Sequence, residues 1–285
     1  MNIEAVLARP GVTVERRPSP YRTSHPLEEI DIVLEDGSSL ALIRKDLRRA
    51  ALDETARRAK PEFLHDPLRE IEAYRLLAAA GLGTPRVYDQ GADWLLLERV
   101  AGVELYQRDE LEAWQRAAAW LARLHRLFAE TPPASPHLLR YDADYYRGWA
   151  DRARAFVGAQ LDPVVARYDA VIERLCALPT TFIHGEFFAS NVLVAAERVA
   201  PIDWEMAAIG PGLIDLAALT SGRWSEDERW AIAAAYGDLD REAFECCHLH
   251  LALQWLGWSS DWTPPAEHAH DWLGEAQRAA SWLGL

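Results

Sequence analysis

The chain has 285 residues, with 30 Lys plus Arg against 44 Asp plus Glu, a formal charge of −14, half of its residues hydrophobic and 26% charged. This is ordinary globular composition at a length suited to one large domain or two lobes, and it argues against disorder. A surface so acidic repels phosphate backbones and anionic lipid, so neither nucleic acid nor a membrane surface is expected as a partner. Three cysteines, two of them adjacent (Cys246, Cys247), make no disulfide framework. No apolar run approaches the roughly 18 residues of a membrane span, and residues 1–11 lack the apolar centre of a secretory signal, so a cytoplasmic protein is expected.

The charge is uneven. Residues 1–100 hold 15 basic and 17 acidic residues, whereas residues 101–285 hold 15 and 27. An acidic second half favours a cationic ligand there, although a merely solvated surface would look the same. Of the 30 basic residues only Lys45 and Lys60 are lysine, which singles both out against an arginine-biased background.

In chain order, residues 12–15 suit a short strand and 18–25 a loop. Residues 28–47 read as a β-hairpin: Ile30, Ile32 and Leu34 alternate with polar residues, Asp36-Gly37 turns the chain, and a second run covers 40–47. A helix is predicted from Pro67, capped by Asp66 and stopped by Gly81, with Leu68, Ile71 and Leu77, together with Tyr74 or Leu76, on its apolar face. Residues 94–100 form an apolar run of strand length, and Gly102 is a natural point for the chain to change lobe. Helices dominate from there: 109–130, ended by Pro132-Pro133, then a helical region over 145–178. Short strands follow at 181–183, 192–194 and 199–202, and residues 213–285 return to helices with Trp-rich faces. The predicted class is α+β, with a small β-rich lobe over 1–100 and a mainly helical lobe over 101–285.

The chemistry concentrates in 182–215. Asn191 precedes one short strand and Asp203 ends the next, so an antiparallel hairpin brings them together at its open end. An amide oxygen beside a carboxylate is a hard-oxygen pair suited to Mg²⁺. Glu186 lies on the loop feeding the same end and is placed to orient or deprotonate a hydroxyl. This arrangement serves phosphoryl transfer, where metal and positioning do most of the work. Glu205 is a candidate for the metal or the substrate, or an outward-facing charge. The pairs His248-x-His250 and His268-x-His270 face different directions on a helix and read as packing or surface histidines, and Cys246-Cys247 reads as core. Trp255, Trp258, Trp262, Trp272 and Trp282 read mostly as core, with Trp262 beside Asp261 as a pocket candidate.

With the run His184-Gly-Glu186, Asn191, Ile-Asp203-Trp-Glu205 and Gly-Leu-Ile-Asp215 in place, the sequence resembles the aminoglycoside phosphotransferase and choline-kinase-like small-molecule kinases. The resemblance implies a bilobal protein-kinase-like fold, ATP or GTP with Mg²⁺, and a small-molecule hydroxyl acceptor. By it, Lys45 is similar to the lysine on the nucleotide phosphates, and Glu70 to the glutamate that holds it, with Glu72 as the competitor on the same helix. Glu98 and Val100 are similar to the hinge whose backbone binds the base. His184 and Asp215 resemble the structural supports of the catalytic loop, and Leu124-His125 fits the pattern as well. The departure is Glu186 where the family usually has Asp. One more methylene moves the carboxylate by roughly 1.5 Å, and a misplacement of about 1 Å can cost on the order of a hundredfold in rate. A pseudokinase-like nucleotide binder is therefore the alternative. A helical interaction protein would leave the 184–215 constellation to coincidence.

Overall fold

The computed structural model describes residues 12–20, 24–260 and 269–285. Five antiparallel strands form the N-terminal sheet: β1 (Thr13–Pro18), β2 (Leu27–Val33), β3 (Ser39–Asp46), β4 (Val87–Gln90) and β5 (Trp94–Glu98), in the order β1-β2-β3-β5-β4. The predicted hairpin is β2–β3, and Asp36 closes its turn by accepting from the amide of Ser38 at 2.9 Å. Strand alternation gives the sheet two faces. Ile30, Ile32, Leu42 and Leu96 form a small core on one, while Leu95 and Leu97 join the large core of the molecule on the other. Lys45 shares the second face with Ile43, both lining the cleft described below.

After β3 comes a short helix, α1 (Glu54–Ala59), capped by Asp53, for which the sequence gives no assignment. Helix α2 (Pro67–Ala80) has the predicted boundaries: Asp66 accepts from the amide of Leu68 at 2.9 Å, and Gly81 closes the helix at φ 65°. Ile71, Tyr74 and Leu77 are buried, and Glu70 lies on the same face. Leu68, expected on that face, is 37% exposed, because its helical spacing places it with Glu72, Arg75 and Ala79 on the outer face.

From residue 111 the chain is mainly helical: α3 (Leu111–Ala129), α4 (Ala143–Val157), α5 (Tyr168–Ala177), α6 (Leu213–Thr220), α7 (Glu226–Ala234), α8 (Arg241–Trp258) and α9 (Trp272–Trp282). The helical region expected over 145–178 is divided where Gly158 takes φ 79° and opens a 3₁₀ turn. Helix α8 is buried throughout residues 243–254, which settles Cys246-Cys247 and His248-x-His250 as core. Trp272 is buried too, but Trp282 is 42% exposed, against expectation.

Two small sheets sit between these helices. One holds β6 (Val103–Glu104), β9 (Val192–Ala195) and β10 (Arg198–Pro201), the other β7 (Leu139–Arg140), β8 (Thr180–Ile183) and β11 (Ala208–Pro211). Strands β6 and β7 are two residues long, too short for periodicity to reveal them. Beneath the small sheets Phe182 stacks on Trp204 (5.5 Å between ring centroids) and Trp120 on Phe187 (5.8 Å). Arg198 on β10 reaches Glu98 at the end of β5 (2.5 and 2.8 Å), tying the five-stranded sheet to the helical part. No described helix is long and apolar enough to cross a membrane.

Replacing the cap of α2, Asp66→Ala, is expected to lower unfolding stability by about 1 kcal/mol in urea titration. Leu68→Ala, two residues on and exposed, should stay within about 0.5 kcal/mol.

Candidate functional site

The hairpin β9–β10 pairs Val192 with Pro201, and the amide of Ile202 donates to the carbonyl of Asn191 at 2.9 Å. Asn191 and Asp203 therefore flank its open end, as the sequence predicted. Asp203 has φ 62° and ψ 64°, a left-handed conformation that Asp tolerates better than most residues. Its Oδ1 lies 2.6 Å from the Nζ of Lys45, which also meets Oε2 of Glu70 at 2.8 Å. A strand, a helix and the distant hairpin thus converge on one ammonium. Glu72, the competitor of Glu70, pairs with the exposed Arg75 instead. Burial acts to lower the Lys45 pKa, but the carboxylates of Asp203, Glu70 and Glu205 outweigh it and raise it well above the ordinary value. Burial pushes the Glu70 pKa up against the pull of Lys45.

The loop carrying Glu186 is held from its backbone. Asp215 accepts from the amides of His184 (2.7 Å) and Gly185 (2.8 Å) and meets Nε2 of His125 at 3.2 Å. With that nitrogen donating, Nδ1 of His125 accepts from the Tyr236 hydroxyl at 2.9 Å. Gly185 takes φ 84°, and a Cβ there would stand 2.4 Å from the carbonyl oxygen of Met206, so the position admits only glycine. One tautomer of His184 satisfies both of its contacts: Nε2–H donates to the carbonyl of Ile202 (2.9 Å) and Nδ1 accepts from the amide of Glu186 (3.3 Å). Burial lowers the His184 pKa, in keeping with a neutral structural ring.

The carbonyl of Glu186 accepts from the side-chain amide of Asn191 at 3.0 Å, which leaves Oδ1 of Asn191 to point elsewhere. The carboxyl of Glu186 is half-buried at the edge of the cleft. Desolvation, then the charges of Glu205 and Asp203, push its pKa up to about 8, with Lys60 and Lys45 opposing. Glu205 behaves oppositely. Its burial is outweighed by Lys60, Lys45 and His25, which hold its pKa down at about 2.

Lys60 is the residue that the sequence reading failed to place. Its Nζ is 2.7 Å from Oε2 of Glu205, with Nε2 of His25 3.6 Å from the same oxygen. The only signal was compositional: both lysines of an arginine-rich chain belong to this site.

These groups line one end of a cleft of about 1020 Å³. Glu98 and Val100 line it further along. The amide of Glu98 donates to the carbonyl of Arg86 (2.8 Å), and the carbonyl of Val100 accepts from the amide of Gly102 (2.9 Å). An aromatic wall completes it, with Trp255 and Trp272 stacked at 5.2 Å and Phe188 edge-on to Trp255 at 5.1 Å. Trp262, Asp261 and His268 lie outside the described residues. Among the described residues no three His, Cys, Asp or Glu side chains form a ready metal cage. The open donor set of Asn191 and Asp203 suits instead a hard cation that keeps most of its coordination for water and phosphate.

Residues 38–250, well over half of the chain, match the profile of the phosphotransferase enzyme family. The chain belongs to that family. Family and fold together make it a small-molecule kinase. No curated protein matches it by sequence. Among solved structures it is similar to a choline kinase from Cryptosporidium parvum, at TM-score 0.62 and 13% identity over 95% of this chain and 88% of the other. It is also similar to an aminoglycoside phosphotransferase from Streptomyces rimosus, at TM-score 0.58 and 21% identity over 90% and 96%. That enzyme has been solved with ADP and streptomycin as well, at TM-score 0.55 and 22% identity over 84% and 92%. At these identities the likeness to solved structures is one of fold, the bilobal protein-kinase-like architecture.

A carboxyl whose pKa is raised by folding makes the native state less stable as pH climbs from the ordinary 4.5 to about 8. Glu186→Gln should therefore raise the melting temperature more at about pH 9 than at about pH 5. Equal shifts in scanning calorimetry at the two values would show that the carboxyl is not strained by its surroundings.

Proposed function

We propose that the protein transfers the γ-phosphoryl group of ATP, with Mg²⁺, to a hydroxyl of a small molecule. The observation that carries this is the meeting of Lys45 and Glu70 from the N-terminal sheet and helix with Asp203 from the β9–β10 hairpin, beside Asn191 and Glu186. In this reading the lobes divide near residue 100, between β5, which belongs to the first sheet, and β6, which pairs with β9. The base lies against the carbonyl of Glu98 and the amide of Val100. Lys45, held by Glu70, contacts the α- and β-phosphates. Oδ1 of Asn191 and the carboxylate of Asp203 hold Mg²⁺, which when bound screens the charge of the phosphates.

The acceptor hydroxyl oxygen attacks the γ-phosphorus while its proton passes to the carboxylate of Glu186. The bond between that phosphorus and the β–γ bridging oxygen breaks, and ADP leaves. A carboxylate raised toward neutrality is a better base than an ordinary glutamate. His184 and Asp215 act by holding the loop, and Glu205 stands behind the reacting groups. The excess of acid in residues 101–285 and the aromatic wall support a cationic alcohol, amino sugar or aminoglycoside as acceptor. In this reading the reaction runs in the cytoplasm, where ATP is available.

Glu186 itself favours a second reading, a nucleotide-binding protein with impaired catalysis, since its carboxylate stands one methylene further out than the family's usual aspartate. Glu186→Asp separates the two. A loss of transfer marks a site built around glutamate, and a large gain marks an impaired one.

Asp203→Ala is expected to reduce phosphoryl transfer by at least about a hundredfold, assayed at a temperature where circular dichroism shows the variant folded, and to lower the melting temperature because Lys45 loses a buried partner. Full activity in that variant would remove the assignment. Titration calorimetry with a non-hydrolysable ATP analogue should give micromolar binding that EDTA abolishes.

A further inference from the structure

We infer that Lys60 is a second phosphate-binding cation, acting on the γ-phosphoryl group as it is transferred. The inference rests on the kinase reading above and concerns a residue to which that reading gives no role.

Phosphoryl transfer concentrates negative charge on the moving group, and kinase-type sites meet it with cations beyond the one on the α- and β-phosphates. The loop at residues 184–191 contains no lysine or arginine. Among the described residues four lysine and arginine side chains line the cleft: Lys45, Lys60, Arg99 and Arg223. Arg99 is engaged with Glu29 (2.7 Å) and Asp31 at the hinge side. Arg223 pairs with Asp109 (2.9 Å) and lies over the ring of Trp224. Lys45 is held between Glu70 and Asp203. That leaves Lys60.

Its position is built for the purpose. Lys60 ends α1, where its amide donates to the carbonyl of Ala56 at 2.9 Å, and it is only 8% exposed. Glu205, 2.7 Å away, stands two residues beyond Asp203 and is the charged group acting most strongly on Glu186. The ammonium is therefore beside the reacting end of the cleft. Glu205 takes one of its three N–H donors, which leaves donors for phosphoryl oxygens. A bridge of purely structural purpose gains little from a buried lysine, because burying an ion pair costs about what the pairing returns. In a chain that uses arginine at 28 of 30 basic positions, both lysines line this cleft, and an ammonium binds phosphate as a point charge.

The test is a double-variant cycle of Lys60→Met and Glu205→Gln, read by turnover, by Mg·ADP binding and by binding of Mg·ADP with aluminium fluoride as a mimic of the transferring group. In either background, Lys60→Met is expected to leave Mg·ADP affinity within about twofold while lowering kcat and affinity for the fluoride complex together, by about a hundredfold or more. If Lys60 only neutralises Glu205, the loss disappears in the Glu205→Gln background, and the inference falls. It falls equally if the fluoride complex binds both forms alike. The double variant leaves no lone buried charge, so the comparison survives should Lys60→Met alone melt early. Failure of the kinase reading shows separately, as absence of Mg·ADP binding in the unaltered protein.

Discussion

The ammonium of Lys45 stands within 2.8 Å of two carboxylates that come from opposite sides of the cleft, Glu70 on α2 and Asp203 after β10. Its charge joins the N-terminal sheet, the helix behind it and the metal-site hairpin at one point. Like charges crowd there: Glu70, Asp203, Glu186 and Glu205 surround two lysines. Such an arrangement is costly in the dry interior unless cations complete it. In the proposed function a divalent cation at Asn191 and Asp203 would offset part of that crowding, while the nucleotide phosphates engage the lysines.

Around that point the structure is rigid in a specific way. Asp215 does not face the cleft; it fixes the backbone of His184 and Gly185 and is itself oriented by His125 and Tyr236. The stacked rings of Phe182 and Trp204, with Phe187 against Trp120, support the loop from below. The loop thus has little room to shift toward or away from substrate. With a glutamate at its tip, the reach of the side chain is set by that extra methylene, and the acceptor pocket has to be shaped to it.

The two glutamates of the site are pushed in opposite directions by the same physics. Glu186 has neighbours of its own sign and a pKa raised to about 8, whereas Glu205 has Lys60, Lys45 and His25 about it and is held at about 2. Pairs of carboxyl groups driven apart in this manner are a mark of acid–base sites, because one stays ionised while the other can exchange a proton near neutrality.

Much of the fold was legible in the residues. Alternation over 28–47, the Asp66-Pro67 start and Gly81 stop, and the spacing of Glu186, Asn191 and Asp203 are local patterns, and local patterns survive folding. The short strands β6, β7 and β11 and the helix α1 were not legible, since so few residues carry no period. Leu68 lies at helical spacing with Glu72, Arg75 and Ala79, so its apolar side chain falls on the outer face of α2. The sequence by itself determined the α+β class, the juxtaposition of Asn191 and Asp203 on the hairpin and the family resemblance. Only the tertiary structure decided that Glu70 rather than Glu72 meets Lys45, and that Lys60 reaches Glu205 across 145 residues of chain. Those pairings depend on where separate elements come to rest, and a contact between distant residues leaves no trace in the spacing of either.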